Sequence, residues 1–99
     1  YYGCFSIDDV KSGLSELMPV VCVLKLRNDF FDLGFNGVYH AGGQVGGGYH
    51  ALLIYGYDES SKTFRVKNSW GLNHGQQGVF YLPYSVFAAD VVESWAVQL

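Results

Sequence analysis

After Pro19 the chain becomes a succession of short apolar runs, separated by polar or glycine-containing connections that are mostly hairpin-sized. The runs lie at residues 20–26, 50–57, 63–68, 78–82 and 91–98. Runs of this length, rich in β-branched and aromatic residues and bounded by turn formers, read as β-strands. One helix precedes them. Ser6 stands as an N-cap, with Asp8 and Asp9 in the first turn complementing the macrodipole. Ile7, Val10, Leu14, Leu17 and Met18 recur at three- and four-residue spacing, so one face is apolar. Pro19 ends this helix, predicted over residues 7–18. A helix followed by hairpin-linked strands predicts an α+β fold, mainly antiparallel β, barrel-like and formed by residues 1–99 as a single domain.

The connections are less uniform. Between residues 27 and 36, Phe30, Phe31, Leu33 and Phe35 are apolar without a clean period. Gly42-Gly43-Gln44-Val45-Gly46-Gly47-Gly48 is expected to be a loop, because ordering so many glycines is entropically costly. Residues 58–62 are expected to turn a hairpin, and Pro83 to open a helical turn as its first residue. The strand at 20–26 is expected to be buried for most of its length, with Cys22 a buried free thiol inside it.

Composition removes several function classes. A formal charge of −3 with scattered lysines and arginines is the wrong electrostatics for nucleic acid. No apolar run approaches the length needed to cross a bilayer as a helix. The start of the chain lacks the basic, apolar and small-residue regions of a signal peptide, and reads as though a portion lies upstream. His40, His50 and His74 could in principle hold a metal, but no acidic or cysteine ligand stands at ligand spacing. Neither a metal nor any other cofactor is expected.

The chemistry concentrates in two segments. Gly48-Tyr49-His50-Ala51 opens one apolar run, and Val66-Lys67-Asn68-Ser69-Trp70-Gly71 ends the next. A histidine leading a strand after glycines can present its ring to a cleft while its backbone stays fixed. An asparagine carbonyl can accept the second ring N–H, fixing the tautomer, and a tryptophan laid over that bond excludes water. Taken singly, each has a plainer reading: a satisfied strand-edge histidine, a turn-starting asparagine, a core aromatic. The ordered set outweighs those readings.

This set resembles the papain-like cysteine peptidases, with their Cys-His-Asn constellation. Similarity extends through Pro19-Val20-Val21-Cys22-Val23, Gly37-Val38-Tyr39 and the run from Gly71 to Phe80, and so over almost the whole chain. Tyr81-Leu82-Pro83-Tyr84 and Glu93-Ser94-Trp95-Ala96-Val97 look like bacterial members of the family. The resemblance implies the β-rich half of the papain fold with one N-terminal helix. It implies His50 and Asn68 as catalytic residues supported by Trp70. Val23, Gly48, Tyr49, Ala51 and His74 then line the substrate cleft. It also implies a peptide or protein substrate, and a secreted or lysosome-like compartment by resemblance alone.

Three departures stand out. His74 occupies the position of a cleft-wall tryptophan, and Tyr49 that of the Asp or Asn before the catalytic histidine. The nucleophile motif, Cys-Gly-Ser-Cys-Trp, occurs nowhere in these residues. Cys22 sits inside Val-Val-Cys-Val-Leu, where desolvation makes a thiol inert. Cys4 lies just before the helix, whose N-terminus lowers a thiol pKa, but the resemblance puts it in a connection remote from the cleft. The expected partner is a Cys-bearing N-terminal half or second chain. An exposed apolar face is expected where that half belongs, with homo-oligomerisation as its consequence in isolation. The rival expectation is a non-catalytic, truncated or degenerate module that binds or self-associates.

Overall fold

In a computed structural model the described residues are 2–3, 6–32, 37–67 and 79–97. The elements are β1 (Tyr2–Gly3), α1 (Ile7–Ser15), β2 (Val20–Arg27), β3 (Val45–Asp58), β4 (Thr63–Lys67), β5 (Val79–Pro83), α2 (Tyr84–Asp90) and β6 (Val91–Ala96). A 3-10 turn, Asn28–Asp32, follows β2. The strands form one six-stranded antiparallel sheet, ordered β1-β6-β2-β3-β4-β5, that curls into a half-barrel.

The N-terminal helix begins where its cap dictates. Ser6 is extended, and its hydroxyl accepts from the Asp9 amide at 3.1 Å. The helix ends sooner than the apolar spacing predicts. Leu17 takes φ 62, and the Met18 amide donates to the Gly13 carbonyl at 3.0 Å. That is the closing bond of a Schellman-type cap. Leu17 is consequently 88 % exposed and does not belong to the apolar face.

β2 alternates strictly: Val20, Cys22, Leu24 and Leu26 are buried, while Val21, Val23, Lys25 and Arg27 are only partly so. The expectation of a strand buried for most of its length holds for one face only. β3 differs more. It starts at Val45, so residues 45–48 of the expected glycine loop are strand. Pairing with β2 on either side of them, at Lys25↔Tyr49 and Arg27↔Val45, holds the glycines in the sheet despite their entropic cost, across a register shift between Lys25 and Arg27. Pro83 also differs from expectation. It closes β5 and caps α2 from outside, with φ −59 and ψ 146, rather than being the first helical residue.

The core lies between the curled sheet and the two helices. Phe30, Tyr39 and Phe80 meet edge-to-face, Phe64 packs on Tyr84 and Phe87, and Val10, Leu24, Ile54 and Leu82 fill between them. The β3–β4 hairpin turns where expected. Asp58 Oδ1 accepts from the Ser60 amide and hydroxyl at 2.9 and 2.6 Å. The turn presents Glu59 to Lys11 Nζ at 2.7 Å and to the Tyr84 hydroxyl at 2.8 Å, tying the hairpin to both helices.

That network makes a pH prediction. Bonds from Lys11 and then Tyr84 hold the Glu59 carboxyl down at about 2. A depressed carboxyl contributes stability that is present above its unfolded pKa, about 4.3 for a free glutamate, and is lost as pH falls through the folded value. Thermal midpoints of the native chain and of Glu59→Gln should therefore converge between about pH 4.3 and pH 2. The difference should be small, because the network is solvent-screened. A gap between them that widens on acidification would contradict this assignment.

Candidate active site

His50 lies on β3 directly opposite Leu24 of β2. It shares the core-side face with Leu52 and Ile54, yet its place toward the glycine end leaves it half-buried. Beneath it is Phe30, with ring centroids 6.3 Å apart and planes tilted by 59°. Phe30 itself is fixed edge-to-face against Tyr39 at 5.0 Å and Phe80 at 5.3 Å. The histidine is thus carried on a rigid strand and backed by a packed aromatic wall. A positioned imidazole of this kind suits proton transfer to and from a group on its open side.

Strand alternation sends its neighbours the other way. Tyr49 is 68 % exposed on the outer face, and Ala51 is exposed there opposite Val23. Gly48, exposed with φ 81, makes the left-handed turn of backbone that brings the strand to Tyr49. The outer face around Val21, Ala51 and Leu53 holds an open recess of about 220 Å³, edged by Lys67. Lys25 stands opposite Tyr49, and Glu93 of β6 opposite Val23. The structure therefore brings His50, Gly48, Tyr49, Ala51 and Val23 together on adjacent strands. Asn68, Trp70, His74 and Cys4 lie outside the described residues.

Cys22 is buried and free, and burial pushes its thiol up to about 12. It should resist iodoacetamide in the folded chain and react fully once unfolded, as read by peptide mass. Rapid native alkylation of Cys22 would contradict the packing. His40 is exposed on the segment before β3. No group of three His, Cys, Asp or Glu able to hold a metal occurs among the described residues.

One feature of the site escaped the sequence reading. Arg27 ends β2, and its guanidinium forks onto Asp90 (Nε to Oδ2 at 2.8 Å, Nη2 to Oδ1 at 3.1 Å). Its third nitrogen donates to the Gly43 carbonyl at 3.1 Å. Asp90 is 2 % exposed at the last residue of α2, an end where a carboxylate opposes the helix dipole. A carboxylate in that unfavourable place was the available signal. Its partner was not readable, because it lies far away in sequence.

Comparison with known proteins bears on the family and the fold. The description of the papain family cysteine protease matches residues 5–95. A peptidase C1-like protein of Acanthamoeba polyphaga mimivirus is 42 % identical over 100 aligned residues, covering 93 % of this chain and 32 % of that protein. Cathepsin B-like cysteine proteinase 6 of Caenorhabditis elegans is 37 % identical over 78 residues, covering 74 % of this chain and 20 % of that protein. Among solved structures, xylellain, a cysteine protease from Xylella fastidiosa, superposes with a TM-score of 0.79 at 27 % identity. The superposition covers 94 % of this chain and 37 % of xylellain. The chain thus spans a third or less of these curated relatives and folds as one part of the xylellain architecture. By the family match along nearly its whole length and by its half-barrel fold, the chain belongs to the papain family of cysteine proteases.

Proposed function

We propose that this chain is the His/Asn-bearing part of a papain-like cysteine endopeptidase whose nucleophilic cysteine comes from an N-terminal half or partner chain. One observation carries the reading: β3 holds His50 half-buried against Phe30 while presenting Tyr49 and Ala51, beside Val23, on its other face. A general base and a substrate-lining surface thereby share one strand.

In this mechanism His50 takes the proton of the thiol, and the thiolate attacks the peptide carbonyl. His50 then returns the proton to the leaving amine as the C–N bond breaks, giving a thioester. Water, deprotonated by the same imidazole, hydrolyses the thioester and restores the thiol. Asn68 orients the imidazole and Trp70 shields their hydrogen bond. Val23 and Ala51 receive an apolar substrate side chain, Gly48 and Tyr49 flank the scissile bond, and His74 walls the leaving-group side. Exposed apolar side chains such as Val45 and Tyr55 would lie uncovered until the Cys-bearing half arrives, which in isolation favours self-association.

The test is reconstitution. Combined with a Cys-bearing papain-type N-terminal half, the chain should hydrolyse a fluorogenic peptide that neither part cleaves alone. A stable, stoichiometric complex without hydrolysis would favour a binding module instead.

A further inference from the structure

We infer that a recess on the outer face of β3, β4 and β5 binds a free α-amino acid with an apolar side chain, its carboxylate on Arg65 and its ammonium on Asp58. The inference is independent of the proposed proteolysis. Asp58 lies eight residues beyond His50 on β3, on the order of 25 Å of strand, so this is a second site.

Strand alternation builds the recess. Phe64 and Leu82 turn into the core, so their neighbours Thr63, Arg65 and Tyr81 belong to the outer face. Register then sets these side by side, with Asp58 opposite Thr63 and Tyr81 opposite Arg65. Together with Ser61 and Val38 they line an open recess of about 280 Å³, a volume that suits one small molecule. The wall made by Val38 and Tyr81 is fixed. Those two residues form a parallel bridge, and the Tyr39 amide donates to the Tyr81 carbonyl at 2.9 Å.

Two opposite charges line this space without meeting. The Arg65 side chain crosses toward β3 at Gly56, where an added Cβ would stand 3.5 Å from its Cδ and 3.6 Å from Nη1. No hydrogen bond or ion pair joins the Arg65 guanidinium to another described residue, so its fork of donors is open to a carboxylate. Asp58 is the anion. The hydroxyl and then the amide of Ser60 hold its carboxyl below the usual range, so it stays ionised. Those bonds fall on Oδ1, and a carboxylate has about four acceptor positions, which leaves room for an ammonium.

Asp58 and Arg65 are diagonal neighbours on paired strands, where Cβ atoms stand about 7–8 Å apart. A carboxylate and an ammonium on one carbon, each extended by a hydrogen bond of about 2.8 Å, span a gap of that order. A simple anion would be drawn by Arg65 and repelled by Asp58, and a simple cation the reverse. Only a zwitterion gains from both. The hydroxyls of Ser61 and Thr63, 2.8 Å apart, add short-range donors, and Val38 with Tyr81 offers apolar surface to the amino acid's side chain.

The experiment titrates the isotopically labelled full chain with L-leucine and follows its NMR shifts. Saturable shifts are expected at Asp58, Ser61, Thr63, Arg65 and Tyr81, with a Kd in the millimolar range that so open a recess allows. Leucinamide, without the carboxylate, and N-acetyl-leucine, without the ammonium, should each bind about tenfold more weakly. Arg65→Gln should bind leucine no better than leucinamide. Asp58→Asn, which keeps an acceptor for Ser60, should bind leucine no better than N-acetyl-leucine. A merely structural loss does not produce that pairing of variant with analogue, and the analogue series on the native chain keeps the test decisive if Asp58→Asn folds poorly. Leu-Leu, whose charges stand further apart, should also bind more weakly; tighter binding would make the ligand a peptide and overturn the inference. Equal binding of leucine, leucinamide and N-acetyl-leucine would overturn it too, as would the absence of saturable shifts at these residues.

Discussion

Replacing His50 by alanine in the reconstituted enzyme is expected to lower kcat/KM by a factor on the order of a thousand or more. In the proposed mechanism the side chain removed is the one that ionises the thiol and later protonates the leaving amine, so both halves of the turnover would lose their proton carrier. The effect should fall on kcat rather than KM, because Val23 and Ala51, the residues assigned to the substrate side chain, are left in place by the substitution. The chain's stability should change little, since His50 is only half-buried on its strand. Peptide hydrolysis and a thermal melt on the same preparation check both statements. A variant that loses affinity but keeps its turnover rate would show that His50 binds substrate without moving a proton.

Phe30→Ala should have the largest effect on stability, about 3–5 kcal/mol. Phe30 is fully buried and stacks edge-to-face on two further rings, Tyr39 and Phe80, so its loss opens a cavity that three separate elements cannot collapse to fill. For a domain of this size each kcal/mol is roughly 4–8 °C of melting temperature, so the expected loss takes much of the chain's margin. Phe30→Leu, nearer in volume, should cost considerably less while still removing the aromatic surface beneath His50. Denaturant melts of the two variants separate cavity from ring chemistry. Near-equal destabilisation would mean that the aromatic contacts, not the volume, hold this corner of the core.

The parts of the fold that were legible in sequence are those whose signals are local. Ser6 with Asp8 and Asp9 announced the start of α1, and the Val-rich run after Pro19 announced β2. Asp58 and Ser60 announced the hairpin that joins β3 and β4. The misread parts depend on partners far along the chain. Glycines at 46–48 carry loop propensity, and only the neighbouring β2 makes them strand. Leu17 fits the apolar spacing of a helix that has already closed at the Gly13 carbonyl.

The candidate site divides in the same way. His50, Tyr49 and Ala51 were placed together by chain adjacency, and strand alternation then assigns them to opposite faces without further information. Val23 could be set beside Ala51 only through the family resemblance, which the observed register now accounts for physically. Phe30 gave no usable signal, because its segment has no period. The Arg27–Asp90 fork joins residues 63 apart, with the three strands β3, β4 and β5 between them, and no local pattern encodes such a pair. Asn68, Trp70 and His74 rest on the sequence motif, outside the described residues.

The most direct measurement combines the chain with a Cys-bearing papain-type N-terminal half, adds an epoxide probe for papain-like enzymes, and reads intact mass beside a His50→Ala control. The account predicts one adduct, on the cysteine of the added half, that disappears with His50→Ala. An adduct on Cys4 of this chain alone, dependent on His50, would contradict it by making the chain a self-contained hydrolase. Equal labelling of the added half with and without His50 would contradict it as well, by showing that the imidazole does not activate the thiol.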